Sequence, residues 1–131
     1  MCLPINRLVA RSDGAAVFLH GAIVSRAGFV LLISFCWRDP ALVLVPMGPV
    51  LGHGMDEHLP RLRVLLPGHP TPRSMLIERG LPNGLRQDFD CVVRRLPEGD
   101  TVEVVCEWPA AGIAESTLDL DAATIRHAAA S

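Results

Sequence analysis

The stretch AVFLHGAIVSRAGFVLLISFCW, residues 16–37, decides the fold class of this chain. It contains two apolar runs of strand length, residues 16–25 and 29–37, and the Ser-Arg-Ala-Gly sequence between them is typical of a tight turn. We therefore predict an antiparallel β-hairpin. Both faces of the second run are largely apolar, so we expect this strand to lie in the centre of a sheet and to be covered on both sides. One face holds Leu31, Ile33, Phe35 and Trp37, and the other holds Val30, Leu32, Ser34 and Cys36.

The same pattern continues along the chain, where short apolar runs alternate with segments rich in glycine and proline. We predict a mainly β fold, an antiparallel two-sheet sandwich (Ig-like or similar) of roughly six to eight strands. The chain is expected to form a single domain, residues 1–131, with a flexible N-terminal segment at residues 1–14. Asp121 is a good N-cap for residues 122–130, which predicts one short C-terminal helix anchored by Ile125. Further strands are predicted at residues 41–45, 61–66, 74–78, 87–95, 101–108 and 116–120.

Residues 87–95 and 101–108 are predicted to pair as a second hairpin, because a turn sequence, Leu-Pro-Glu-Gly-Asp, separates two alternating runs. If the Glu-Gly pair is central in that turn, Cys91 lies directly opposite Cys106 and all the apolar residues share one face. We expect both cysteines to be free, buried thiols in a reducing cytoplasm. The same register places Arg94 opposite Glu103 and Asp90 opposite Glu107.

Composition and charge limit the function classes. All 12 basic residues are arginine, so the chain supplies no Schiff-base lysine and no P-loop lysine. A net charge of -2 argues against nucleic acid as a partner, because phosphate binding needs a basic surface. Residues 61–95 nevertheless hold seven Arg and three acidic residues, and residues 96–131 hold seven acidic residues and one Arg. Either these two segments neutralise each other, which we favour, or the first forms an anion-binding face.

The last third of the chain resembles small proteins that are widespread in actinobacteria. The resemblance lies in the run CEWPAAGI, residues 106–113, followed by the acidic start of an Ala-rich helix, DLDAA at residues 119–123. It extends more loosely to the hairpin at residues 16–37. The resemblance implies a bacterial, cytoplasmic setting and no particular activity.

Candidate sites are few. His53, Asp56, Glu57 and His58 form the densest group of possible metal ligands, but their H-x4-H spacing matches no zinc-protease motif. We interpret this group as a solvated loop, and predict neither a metal nor a cofactor. His20 is interpreted as a core histidine, and the chain has no G-x-S-x-G motif. Asp88 and Asp90 share a strand face, which we interpret as a solvated outer face rather than an acid–base pair. The weak candidates for binding a ligand are Arg61, Arg63, Arg73 and His58.

Two functions remain open. The first is a non-enzymatic β-sandwich module that binds another protein or a second copy of itself, since spare apolar strand surface is typical of interfaces. The alternative is a protein, and possibly an enzyme, that binds a small ligand or an anion through the loop region at residues 39–63. No membrane segment and no nucleic-acid partner are expected, and we predict a cytoplasmic location.

Overall fold

A computed structural model of the protein describes residues 1–39, 60–67, 74–78 and 85–130. These residues form eight β-strands and one α-helix, with a short 3-10 turn at Pro109–Ala111. The elements are β1 (Cys2–Arg11), β2 (Ala15–Ser25), β3 (Gly28–Trp37), β4 (Arg61–Leu65), β5 (Ser74–Glu78), β6 (Arg86–Val93), β7 (Thr101–Trp108), β8 (Ile113–Asp121) and α1 (Ala122–Ala129).

The strands form two antiparallel sheets. The five-stranded sheet has the order β1-β2-β3-β6-β5, and the three-stranded sheet has the order β4-β7-β8. The predicted mainly β, two-sheet architecture with one C-terminal helix is thus confirmed. The predicted strand at residues 41–45 lies outside the described residues.

The predicted hairpin is formed by β2 and β3, and it turns at Arg26 and Ala27 because Ser25 pairs with Gly28. Gly28 has a φ of 151°, and a Cβ on it would overlap the carbonyl oxygen of Val93. Only glycine allows the turn to approach β6 this closely. As predicted, β3 is central, since it lies between β2 and β6. Its second face is half-buried rather than fully covered, with Ser34 as its one buried residue.

The predicted hairpin between β6 and β7 is wrong. Strand β6 pairs with β3 and β5, whereas β7 pairs with β4 and β8 in the other sheet. The prediction of which side chains of β6 and β7 face the core is nevertheless confirmed for the two cysteines, because Cys91 and Cys106 are both fully buried. Strands that face each other across the core bury the same residues as a hairpin with one apolar face, so alternation does not distinguish the two arrangements. The pairs Arg94–Glu103 and Asp90–Glu107 do not form, since Glu103 and Glu107 face residues of β4.

The connection between β6 and β7 is fixed by the helix. Arg126 of α1 donates hydrogen bonds to the carbonyl oxygens of Pro97 and Gly99, at 3.1 and 2.6 Å. The backbone N–H of Ala122 donates to the carbonyl of Asp100 at 3.0 Å. The connection that leads from the five-stranded sheet to the three-stranded sheet is therefore held in place by α1.

The N-terminal segment, expected to be flexible, instead forms strand β1. Val9 and Ala10 of this strand are buried in the core. Its pairing with β2 shifts register between Pro4 and Arg7 and again between Leu8 and Ala10, and Asn6 has a φ of 52°. Such bulges break the period-two alternation that marks a strand in a sequence, which is why the strand was missed.

Aromatic side chains join the two sheets. Trp37 of β3 and Trp108 of β7 pack edge to face with ring centroids 6.1 Å apart, and Phe35 lies 6.0 Å from Trp108. The helix begins as predicted: the Asp121 side chain accepts a hydrogen bond from the N–H of Ala123 at 3.2 Å. Ile125, its large apolar anchor, is buried.

Candidate interaction surface

The outer face of the five-stranded sheet, turned away from the core, carries an unusual amount of apolar surface. Ile23 of β2 is 50% exposed, Ile77 of β5 is 45% exposed and Leu8 of β1 is 44% exposed. Each lies at an outward position: Ile23 alternates with the buried Ala22 and Val24, and the other two pair with the outward residues Phe18 and Asp90.

Half-buried side chains, most of them apolar, lie between these three residues. Val30 lies directly opposite both Ile23 and Val92, in the neighbouring strands. Leu32 lies opposite Asp90, which in turn lies opposite Ile77. Directly opposed side chains in a sheet are in contact distance, so Ile23, Val30 and Val92 form a continuous row. Asp90 lies between Leu32 and Ile77, and Phe18, opposite Leu8, lies opposite Ser34 on its other side. We call this patch the apolar face; its residues are Leu8, Phe18, Ile23, Val30, Leu32, Ile77 and Val92.

A polar network borders the apolar face, formed by His20, Ser34, Arg86 and Asp88 on β2, β3 and β6. The Ser34 hydroxyl donates to Asp88 Oδ1 at 2.6 Å and accepts from Arg86 Nη2 at 3.1 Å. His20 Nε2 lies 2.7 Å from the same hydroxyl oxygen, and Arg86 Nε donates to Asp88 Oδ1 at 2.9 Å. The hydrogen bond and the charge of Asp88 raise the pKa of Arg86 above its ordinary value.

This network contains Ser, His and Asp but lacks the geometry of nucleophilic catalysis. In a catalytic triad the histidine takes the serine proton and the carboxylate holds the histidine. Here the Asp88 carboxylate accepts from the serine hydroxyl instead, and His20 Nε2 contacts the same hydroxyl oxygen. Ser34 is 2% exposed. The network instead links β2, β3 and β6 to one another through side-chain hydrogen bonds. Sequence analysis interprets His20 as a core residue and Asp88 as solvated, whereas the structure joins both in this network. The network could not be predicted because its hydrogen bonds join residues that are far apart in the chain.

The outer face of the three-stranded sheet is charged. Two of the predicted ligand-binding residues lie there: Arg61 pairs with Glu107 at 3.2 Å, and Arg63 pairs with Glu115 at 2.6 Å. These residues line a shallow cleft of about 290 Å³ with Val105. Both arginines belong to the basic segment 61–95, and both glutamates belong to the acidic segment that follows it. For these pairs, the interpretation that the two segments neutralise each other is confirmed.

His53, Asp56, Glu57, His58 and Arg73 lie outside the described residues. Among residues 1–39, 60–67, 74–78 and 85–130, no group of three or more His, Cys, Asp or Glu side chains could hold a metal ion. None of these four segments contains a helix long and apolar enough to cross a membrane.

A corner cleft that sequence analysis does not predict lies at the open end of the β2–β3 hairpin, opposite its turn. Arg11, Ser12, Asp13 and Arg38 line a cavity of about 500 Å³. At this corner the Ser12 hydroxyl accepts from the N–H of Gly14 at 3.2 Å and donates to the carbonyl of Ala111 at 2.5 Å. The cleft could have been predicted from the register of the β2–β3 hairpin, because this register brings the residues before β2 close to those after β3.

No protein-family model, curated protein or solved structure matches the chain. Evidence for function therefore comes from the chemistry of the two outer faces and the residues that border them.

Proposed function

We propose that this chain is a non-enzymatic β-sandwich module that binds a protein partner through the apolar face. One observation carries the proposal: the two outer faces of the sandwich differ in chemistry. The three-stranded sheet presents Arg61, Arg63 and four acidic residues to solvent, whereas the larger sheet presents the apolar face. A solvated sheet face normally carries polar residues at its outward positions, as the smaller sheet does.

The row of apolar side chains across the apolar face supports an interface. Single exposed apolar side chains are common on soluble proteins, but contiguous patches of more than a few hundred Å² are typical of interaction sites. Ile23, Val30 and Val92 follow one another across three neighbouring strands. A bacterial, cytoplasmic setting without membrane or nucleic-acid partners is part of the proposal, and it rests on the resemblance of residues 106–123 and on the net charge of -2.

Binding of a ligand or an anion beside residues 39–63 has less support. Arg61 and Arg63 already have glutamate partners, so their positive charges are balanced by Glu107 and Glu115 before any anion binds. His58 and Arg73 lie outside the described residues, and their part in that alternative stays a prediction.

The test compares two matched variants as bait in a lysate of the native host. Ile23→Arg places a charge on the apolar face, and Thr117→Arg places the same charge at an exposed, outward position of the other sheet. A genuine partner should be retained by the wild type and by Thr117→Arg, and lost by Ile23→Arg. Equal retention by all three proteins, or loss with Thr117→Arg alone, would contradict the proposal.

A further inference from the structure

We infer that the corner cleft binds a small oxyanion, a phosphate or carboxylate group, through the side chains of Arg11, Arg38 and Trp37. The site uses no residue of the apolar face, so it goes beyond the proposed function and is tested independently of it. Two observations carry the inference: the arginines of the cleft have no acidic partner, and a buried donor beside them has no acceptor.

The register of the first three strands brings the two arginines to one cavity. Arg11 is the last residue of β1 and lies opposite Ala16 of β2. Arg38 directly follows β3, and its backbone N–H donates to the carbonyl of Gly14 at 2.9 Å. Because Gly14 and Ala16 have little or no side chain, they leave open the cavity of about 500 Å³ that both arginines line. A cavity of this size is within the range of small-molecule sites.

Neither arginine of the cleft is engaged. Among the described residues, Arg11 and Arg38 form no ion pair and no side-chain hydrogen bond, not even with Asp13, which lines the same cavity. On the three-stranded sheet, by contrast, Arg61 and Arg63 each have a glutamate partner. The guanidinium fork matches the oxygens of phosphate and carboxylate groups, so two unengaged arginines on one cavity favour an oxyanion as its occupant.

The indole N–H of Trp37 is the third donor. Trp37 lines an adjoining cavity of about 290 Å³, which shares Arg11, Asp13 and Arg38 with the corner cleft. The side chain is buried, and its Nε1 atom has no acceptor among the described residues. Buried N–H groups in native proteins nearly always have a partner, and a tryptophan N–H is no exception. An oxygen of an anion held in the cleft would supply the missing acceptor.

Asp13 gives the inference a test of sign. Its carboxylate lines the same cavity and repels an anion there. Asp13→Asn removes this charge at nearly constant size and should tighten binding, whereas Arg11→Ala and Arg38→Ala should weaken it. A general disturbance of the corner would weaken binding in all three variants.

The experiment is a titration of the isotope-labelled full chain with inorganic phosphate, at an ionic strength that chloride keeps constant. The two indole N–H signals are followed by NMR, and Trp108→Phe identifies the signal of Trp37. In the wild type this signal should shift and saturate, with a dissociation constant on the order of 1 mM. A second titration with acetate distinguishes a carboxylate ligand from a phosphate.

The variants are compared by the same dissociation constant. Arg11→Ala and Arg38→Ala should each raise it at least about tenfold, as expected for the loss of a charge-assisted hydrogen bond, and Asp13→Asn should lower it. Arg26→Ala is the matched control, because Arg26 is exposed in the turn at the other end of the same hairpin, and it should bind like the wild type. The remaining signals of each spectrum check that the variant is folded.

Several results would overturn the inference. A Trp37 signal that neither anion moves, or that moves without saturating, would show that the cleft holds no such site, even if backbone signals nearby respond. A loss in Arg26→Ala equal to that in the two cleft variants would reduce the effect to overall charge. Weaker binding by Asp13→Asn would contradict the electrostatic argument. None of these results affects the proposed function, whose test relies on Ile23 and Thr117.

Discussion

Cys91 and Cys106 are the two thiols that the fold removes from water, and their ionisation ties stability to pH. Burial raises the pKa of each to about 12 from the ordinary 9.0, and the charge of Glu107 adds to the effect at Cys106. Below pH 9 both thiols are neutral in the folded and the unfolded chain. Between about pH 9 and 12 only the unfolded chain loses these protons, so we expect the free energy of unfolding to fall by up to about 1.4 kcal/mol per pH unit for each thiol.

Denaturant titrations between pH 7.5 and 10.5 would measure this slope. The double variant Cys91→Ala, Cys106→Ala should have a flatter profile above pH 9, although it is less stable at every pH. Cys2→Ala is the matched control, because Cys2 is exposed, and it should keep the wild-type slope. An identical slope in the double variant would show that other groups dominate the alkaline loss.

Ser34 is the centre of the polar network, and its hydroxyl accounts for three of the network's contacts. Ser34→Ala leaves Asp88 and His20 partly buried with one partner fewer each. We expect a loss of about 1–3 kcal/mol in the free energy of unfolding, because polar groups that lose a buried hydrogen bond bear their desolvation cost. Ser25→Ala, in the exposed hairpin turn, should change stability by less than about 0.5 kcal/mol. Equal costs for the two substitutions in chemical denaturation would mean that the network does not stabilise the sheet.

At the scale of elements, the β2–β3 turn has the strictest requirement for glycine, at position 28. Gly28→Ala would force a side chain into the backbone of β6, where its Cβ would also lie 2.7 Å from the amide nitrogen of Arg95. We expect a loss of more than about 3 kcal/mol, since the positive φ and the overlap act together. Gly14→Ala is the control, because a Cβ there would meet nothing closer than 3.9 Å. Thermal denaturation should separate the two variants clearly, and a Gly28→Ala protein of wild-type stability would contradict the close approach of turn and strand.

Strands were predictable from the sequence to different degrees, for physical reasons. The run at residues 29–37 is apolar on both faces and lies next to a clear turn, so its position at the centre of a sheet followed directly. Strand β1 was missed because its bulges disturb the alternation. The partners of β6 and β7 were wrong because alternation specifies which side chains face the core, and not which strand supplies the hydrogen bonds.

At the scale of the whole molecule, the candidate surface was only partly predictable. The sequence indicated spare apolar surface on β3, and the structure locates it on one face of one sheet. The contrast with the charged outer face could not be foreseen, because the partners of Arg61 and Arg63 are brought close only by the pairing of β4 with β7 and β8. The ligand-binding alternative relies on those two arginines together with Arg73 and His58, which lie outside the described residues.

The two sheets are joined closely enough that we expect them to unfold as one unit. Trp37 belongs to the five-stranded sheet and Trp108 to the three-stranded sheet, both are buried, and their rings are in contact across the core. Trp37→Phe leaves one tryptophan that reports on the smaller sheet, and Trp108→Phe leaves one that reports on the larger sheet. In a cooperative sandwich, the fluorescence midpoint of each variant should coincide with the midpoint of its own far-UV circular dichroism. Ser12 strengthens this coupling, because its hydroxyl connects the end of β1 to the carbonyl of Ala111 at 2.5 Å. A fluorescence transition that precedes the loss of strand signal in either variant would show that one sheet opens before the other, and that the ring contact does not carry cooperativity between them.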